Sequence, residues 1–398
     1  MNIVLFDTLQ ARRALVPFSY TRALATLRVG IVTLQEKWEH YLQTKCSFLT
    51  ASYLSGKFPT VEAQISLYIN STICPDETLV EAIRRLEPNQ KLVKNNTLIA
   101  AFCGKEAFRD LQNSDFELPT LKAQSFEEPL TQINNKWDIF LLNEQELKKD
   151  FEWHCLGKVS QRTSDPYTLT YNEAAIFLEK GVSTKAALLN AEVGPIYLGK
   201  NVTIHERAII KGPVAIGEGA QINPGAIISN ATTVGPYAKV GGEVSNSVIL
   251  GYSNKAHEGF MGNSVIGEWC NLGAGTNTSN LRSDYGKVKV WNEDQETYHI
   301  IDLQFCGLFM GDHSKCGINT MFNTGTTVGV NANLFGTGFV DKFVPSFAWG
   351  QPGEPMQTYQ LDKALETAAK MIARRGVTLT EQDKKILTHV FSTTTDRG

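Results

Sequence analysis

The chain has 398 residues, 42% hydrophobic and 20% charged, with 41 acidic against 38 basic side chains for a net charge of −3. That is room for two or three domains with separate cores, and the charge balance argues against nucleic acid or an anionic membrane as the main partner. No stretch approaches a membrane span, and the apolar run in MNIVLFDTLQARR stops at Asp7, too short for a secretory leader.

Residues 1–155, within an expected first domain of 1–180, alternate short apolar runs with helical patterns: NIVLF, then GIVTL before QEKWEHYL, then AQISLYIN before PDETLVEAIRRL. Such alternation predicts an α/β, Rossmann-like domain. Pro75, Asp76 and Glu77 are a sensible helix start, with acids at the positive end of the helix dipole. After the first strand, LQARRALVPFSYTRALATLRVG carries Arg12, Arg13, Arg22 and Arg28. Four arginines past a strand's C-terminal end suit an anionic ligand such as phosphate, or form a solvated basic face.

From Leu198 the sequence counts in sixes: Leu198, Ile204, Ile210, Ile216, Ile222, Ile228, Val234 and Val240. A register four residues on is mostly small, as at Ala208, Ala220, Ala226 and Ala238. The count breaks near Gly241, returns at Ile266 and Leu272, and resumes from Met310 through Cys316, Phe322, Val328, Leu334 and Val340. A period of six is neither helical nor a plain strand alternation. It predicts a solenoid of three short strands per coil, each sending one aliphatic side chain inward. Residues 181–345 are expected to form this solenoid, with about six coils rising ~4.8 Å each. Residues 281–307, with KVKVW and YHIIDL around polar NEDQET, are expected to leave the coil as an excursion over the active site. Residues 346–398 follow as a tail with two amphipathic helices, the first stopped by Gly376 and the second capped by Thr380 with Asp383, assigned to packing or oligomer contacts.

Seven scattered cysteines without a C-x-x-C pair predict reduced, buried thiols in a cytoplasmic protein and not a disulfide framework or zinc ribbon. Histidines 40, 154, 205, 299, 313 and 389 lack metal-ligand spacing, which argues against a metal hydratase.

An α/β domain followed by hexapeptide coils resembles the bifunctional N-acetylglucosamine-1-phosphate uridyltransferase / glucosamine-1-phosphate N-acetyltransferase family over nearly the whole chain. NKAHEGFMGNSVIGEWCNLGAGTNTSN, residues 254–280, looks like its acetyltransferase signature, a histidine followed fourteen residues later by asparagine in N-[IL]-G-A-G-T; His257 and Asn271 have that spacing. GYSNKAH and GGEV (Gly241–Val244) are similar to a divergent GlmU-like branch.

The resemblance implies a left-handed parallel β-helix, an exception to right-handed crossovers, and a homotrimer with sites between neighbouring prisms. It implies acetyl transfer from acetyl-CoA to an amino-sugar 1-phosphate, glucosamine 1-phosphate foremost. Nucleotidyl transfer from UTP, or dTTP, would then give a nucleotide sugar such as UDP-N-acetylglucosamine, with Mg²⁺ to share the triphosphate's charge. A monofunctional acetyltransferase with a degenerate N-terminal domain and a non-catalytic scaffold are the alternatives.

By the same resemblance His257 is the catalytic base, Asn271 contacts the sugar phosphate, Ala274 lies near the thioester, and Asn280 and Lys289 belong to a loop closing the site. Ser245 stands where the family has a phosphate-binding lysine, and Phe260 where it has a tyrosine; Lys255 is a candidate for the missing cation. In the first domain LFDTLQARRAL replaces the family's glycine-rich loop. PFSYTRALATLRVG puts Arg22 near the family's usual cation, with Lys37 as another candidate and Arg12 and Arg13 for the phosphates; no metal ligands are identified.

Acetylating an amine needs a base, and an ordinary imidazole with a pKa near ~6.5 serves at neutral pH. Glu243 or Glu258 would orient the ring, Glu243 being preferred because GGEV belongs to the preceding coil. Backbone N–H groups around Gly273 and Ala274, with the Asn271 amide, would face the developing oxyanion, worth ~3–4 kcal/mol for one good donor. Gly273 would also let the backbone approach a ligand closely.

Overall fold

The computed structural model describes residues 1–113, 121–163 and 165–395. It divides into two compact units: Met1–Arg13 with Arg22–Leu27 and Val32–Asn134, and Ala14–Thr21 with Arg28–Ile31 and Asn135–Gly398.

The first unit is built on a six-stranded mixed sheet of β1 (Asn2–Phe6), β2 (Cys46–Leu49), β3 (Ile65–Asn70), β4 (Gln90–Lys94), β5 (Thr97–Gly104) and β6 (Lys122–Ser125), in the order β2-β1-β3-β5-β4-β6. β2, β1 and β3 are parallel, and β5 is antiparallel to both β3 and β4. Its helices are α1 (Leu9–Ala14), which ends at the unit boundary, α2 (Leu34–Leu42), α3 (Glu77–Arg84) and α4 (Lys105–Asn113). Thr33 and Glu36 close a capping box on α2, and Asp76 caps α3 by accepting from the Leu79 N–H, as its sequence predicts. One core of Ile3, Leu5, Trp38, Leu67, Ile69 and Ile83 fills the space between sheet and helices.

In the second unit α5 (Asp138–Leu141) and α6 (Asn143–Cys155) precede the coils. Their place differs from the expected boundary at residue 180, for a physical reason. Asn143 donates to the Ala231 carbonyl and accepts from the Gly30 N–H, while Asp150 accepts from the Ile31 N–H. These buried polar groups tie α6 and residues 28–31 to the coils.

The solenoid starts at Leu169–Tyr171 and has three parallel faces, of nine, nine and ten strands; the last strand of the ten-stranded face runs antiparallel. The aliphatic register predicted in sixes is its core: Leu198, Ile204, Ile210, Ile216, Ile222 and Ile228 are fully buried in one continuous cluster that runs on to Val344. Each such side chain contributes ~1.5–3 kcal/mol relative to exposure.

More coils stack than the six expected, because the breaks in the count are shortened coils rather than gaps. Thr233 pairs with Val248, fifteen residues on, and Val248 with Val265, seventeen on, where the regular coil advances by eighteen. After Thr278 the chain does leave the coil, forms an antiparallel hairpin of Lys289–Asn292 with Thr297–Ile300, and rejoins at Phe309–Met310.

One corner is distinctive. Tyr237, Tyr252, Trp269, His313, Asn331 and Phe347 all adopt left-handed backbone, with φ from 54° to 63°. Tyr252 stacks on Tyr237 at 5.2 Å and on Trp269 at 4.3 Å. Bulky residues disfavour this backbone by ~1–2 kcal/mol each, and ring stacking of ~0.5–1.5 kcal/mol per pair offsets it. The tail helices α7 (Leu361–Ala373) and α8 (Glu381–Thr395) cover the lower part, burying Trp269, Val330 and Phe347 against Ala364, Ala368, Ile372, Leu387 and Val390. Gly376, at φ 70°, follows α7, and Thr380 with Asp383 caps α8.

Candidate active site

On the ten-stranded face the residue before each inward aliphatic points outward. Successive coils therefore stack Gln221, Lys239, Asn254, Asn271, Lys315 and Asn333 into one polar column. The corner after this strand carries His257 in one coil and Gly273 with Ala274 in the next. The last turn of α7 and the residues after it lie opposite.

Together they enclose a cavity of about 720 Å³ lined by His257, Asn271, Gly273 and Ala274, by Lys239 and Lys315, and by Lys370, Arg374 and Arg375. Arg375 donates to Asn254 Oδ1 at 2.8 Å. Among the described residues five cations and no carboxylate line it, which favours an anionic ligand. Burial lowers Lys315 to about 8, while its amine donates to the His313 carbonyl at 2.6 Å. Burial, with Arg374 alongside, also lowers Arg375.

Four of the predicted site residues are brought together here, and four are not. Lys255 lies one residue after Asn254 and pairs with Val240, so it points into the solenoid core. It is 3% exposed, its amine donates to the His257 carbonyl at 2.6 Å, and it does not line the cavity. Burial lowers it to about 8. Glu243 lies on a different face, in the outward register between Ile227 and Phe260. It does not orient His257; among the described residues no carboxylate is within hydrogen-bond or ion-pair reach of that imidazole.

Asn280 donates to Asn263 Oδ1 at 2.8 Å, and Lys289 belongs to the hairpin; neither lines the cavity. Nor does any residue of the excursion, 281–307, line this cavity within the same chain. Its Trp291 stacks instead on Phe343 at 4.3 Å. Gly273 has a reason other than ligand access: a Cβ there would fall 2.3 Å from the Gly317 backbone, so close stacking of coils requires glycine.

Lys239, Lys315 and the α7 cations were not singled out from sequence. Lys239 and Lys315 had a local signal, being cations just before inward positions Val240 and Cys316. Lys370, Arg374 and Arg375 had none, because nothing local says where a tail helix packs.

In the first unit, the C-terminal ends of the parallel strands hold a polar hub. Asp7 accepts from Arg12 (3.0 Å), Ser71 (2.7 Å) and Thr50 (2.5 Å) and from the Leu24 N–H (3.2 Å). Arg12 also donates to Thr50, Tyr53 and the Arg22 carbonyl. Arg22 and Lys37 are 5% and 1% exposed, and Arg13 is exposed. A carboxylate with this many donors and a guanidinium 3.0 Å away does not fit a Mg²⁺ ion. Among the described residues no group of three or more His, Cys, Asp or Glu could hold a metal, and no helix is long and apolar enough to cross a membrane.

Residues 3–158 match the sugar nucleotidyl transferase family. The chain is 35% identical over 104 residues to the bifunctional protein GlmU of Methanocaldococcus jannaschii, covering 26% of this chain and 25% of that one. It is 35% identical over 102 residues to a bifunctional sugar-1-phosphate nucleotidylyltransferase/acetyltransferase of Sulfurisphaera tokodaii, with the same shares. The match thus spans about a quarter of the length of these curated relatives. Among solved structures, the N-acyltransferase AntD of Bacillus cereus, in complex with dTDP and coenzyme A, superposes with a TM-score of 0.27 at 15% identity, over 44% of this chain and 90% of that one.

Proposed function

We propose, for a GlmU-like chain whose residues 3–158 belong to the sugar nucleotidyl transferase family, that the solenoid transfers an acetyl group from acetyl-CoA to the amine of an amino-sugar 1-phosphate. The observation that carries this reading is the joint presence of His257, Asn271 and Ala274 in a cavity whose charged lining is wholly cationic. Both substrates are phosphorylated, and five cations suit them.

His257 takes the proton as the amine attacks the thioester carbonyl. The tetrahedral oxyanion then collapses, the C–S bond breaks, and coenzyme A leaves as the thiol after protonation. Asn271, in the polar column, positions the acceptor, and the α7 cations hold phosphate. Glucosamine 1-phosphate is the preferred acceptor, and the first unit would carry the acetylated product on to a nucleotide sugar using UTP or dTTP.

A second reading for that unit, nucleotide binding without transfer, is favoured by the Asp7–Arg12 hub, in which Asp7 is engaged by Arg12 and Ser71 and not free as a metal ligand. The assembly proposed is a homotrimer. Leu169, Leu188, Ile209 and Ile227 form an outward apolar column on one face, and Leu169 and Ile227 are 57% and 39% exposed. Seven free thiols support a cytoplasmic setting.

Two assays on one sample test the reading: thiol release from acetyl-CoA with several amino-sugar 1-phosphates, and pyrophosphate release from UTP or dTTP with sugar 1-phosphates. His257→Ala should lower acetyl transfer by ~10²–10⁴-fold while the melting temperature and any nucleotidyl transfer stay as in wild type. A destabilised variant with near-normal turnover would instead make His257 a structural corner residue.

A further inference from the structure

Two asparagines in the wall of the His257 cavity have amides that run in one direction. Asn254 and Asn271 are level in adjacent strands of the ten-stranded face, and both line the cavity together with Arg375. Arg375 Nη2 donates to Asn254 Oδ1 at 2.8 Å, and Asn254 Nδ2 donates to Asn271 Oδ1 over a longer 3.4 Å.

The two ends of an amide are nearly alike in shape, so packing alone does not choose between them. A guanidinium has only donors, and Arg375 therefore commits the Asn254 oxygen to the tail. That leaves the Asn254 NH₂ group toward Asn271, where it attracts the oxygen and repels the NH₂ of the second amide. Among the described residues Asn271 Nδ2 has no protein partner, and it belongs to the cavity wall. Lys315, level with Asn271 in the next coil, does not compete, because its amine reaches the His313 carbonyl instead. In acetyl transfer the thioester oxygen becomes an oxyanion and needs a donor. Asn271 turned the other way would face it with a carbonyl oxygen.

We propose that Arg375 and Asn254 are positioning residues, which hold Asn271 with its N–H donors toward the developing oxyanion. The inference rests on the acetyl-transfer reading and gives the tail a second role there. One guanidinium nitrogen orients the wall of the site, and the remaining N–H groups of Arg375 stay available for phosphate.

Asn254→Asp tests this, because a carboxylate keeps the bond to Arg375 and offers Asn271 only acceptors. It should draw the Asn271 NH₂ group and leave its oxygen facing the cavity. Thiol release from acetyl-CoA, with the amino-sugar 1-phosphate that turns over best, should show kcat reduced ~10-fold or more. The melting temperature should stay at or above that of wild type, and KM for acetyl-CoA should change less than kcat. In an Asn271→Ala background the same substitution should alter kcat by less than ~2-fold, since the residue it acts through is gone. Arg375→Ala should likewise lower kcat in the wild-type background and not in Asn271→Ala. Unchanged kcat in either variant overturns the inference. So does a loss confined to KM, or one of equal size in Asn271→Ala, because the altered charge would then act on substrate directly. Absence of acetyl transfer in wild type overturns the acetyl-transfer reading itself, and this inference with it.

Discussion

Replacing Lys255 with methionine removes a charge from the solenoid core while nearly keeping its volume. Burial lowers this amine from the usual 10.5 to about 8. At 1.36 kcal/mol per unit, that places roughly 3 kcal/mol against the folded state at neutral pH. The lost bond to the His257 carbonyl offsets ~1 kcal/mol, so the variant should gain ~2 kcal/mol and melt a few degrees higher.

The sign of the pH dependence follows from linkage. The folded pKa lies below the unfolded one, so the unfolded state holds more protons between pH 8 and 10.5, and wild-type stability rises with pH through that window. The cost is complete below pH 8 and absent above 10.5, so the variant's advantage should shrink toward zero by pH 10. Acetyl transfer should fall in the same protein, because the amine clamps the backbone of His257. Scanning calorimetry at pH 7 and pH 10, with thiol release at pH 7, measures all three effects. A variant no more stable than wild type at pH 7, or a gap independent of pH, would refute the reasoning.

Arg374→Ala with Arg375→Ala should raise KM for acetyl-CoA or the acceptor ~10-fold or more, the scale of a lost charge-assisted bond, and leave melting unchanged; initial rates against each substrate locate the lost phosphate contact. With Lys315 lowered to about 8, affinity for the anionic substrate should weaken as pH rises above about 8, visible in KM measured from pH 7 to 9. Arg12→Met strands Asp7, whose side chain is 1% exposed, and should destabilise the first unit by ~3–5 kcal/mol; loss of pyrophosphate release at unchanged stability would instead make Arg12 a phosphate ligand. Ile227→Asp charges the outward apolar column and should turn a ~130 kDa sedimenting species, three 44.0 kDa chains, into a ~44 kDa one.

The coil and its inward register were legible in the sequence because they follow from local periodicity, while His257 and Asn271 were legible only through the motif that carries the family resemblance. An aliphatic every six residues fixes which side chains point inward, and a strand's alternation fixes its neighbours. The inward turn of Lys255 was not legible, because it is level with Val240 only through a fifteen-residue coil. What the sequence could not disclose depends on contacts between distant segments. Coils of fifteen and seventeen residues keep stacking because backbone pairing tolerates a shortened corner, so the apparent breaks were not gaps. Glu243 precedes His257 by only fourteen residues yet lies on another face, since the corner between them redirects the chain. Where the excursion and the tail pack has the same kind of reason: Trp291 stacks on Phe343, and α7 lies on the aromatic corner. Only that packing sets Lys370, Arg374 and Arg375 against His257, because an amphipathic helix encodes that it must bury a face and leaves its partner to the rest of the fold.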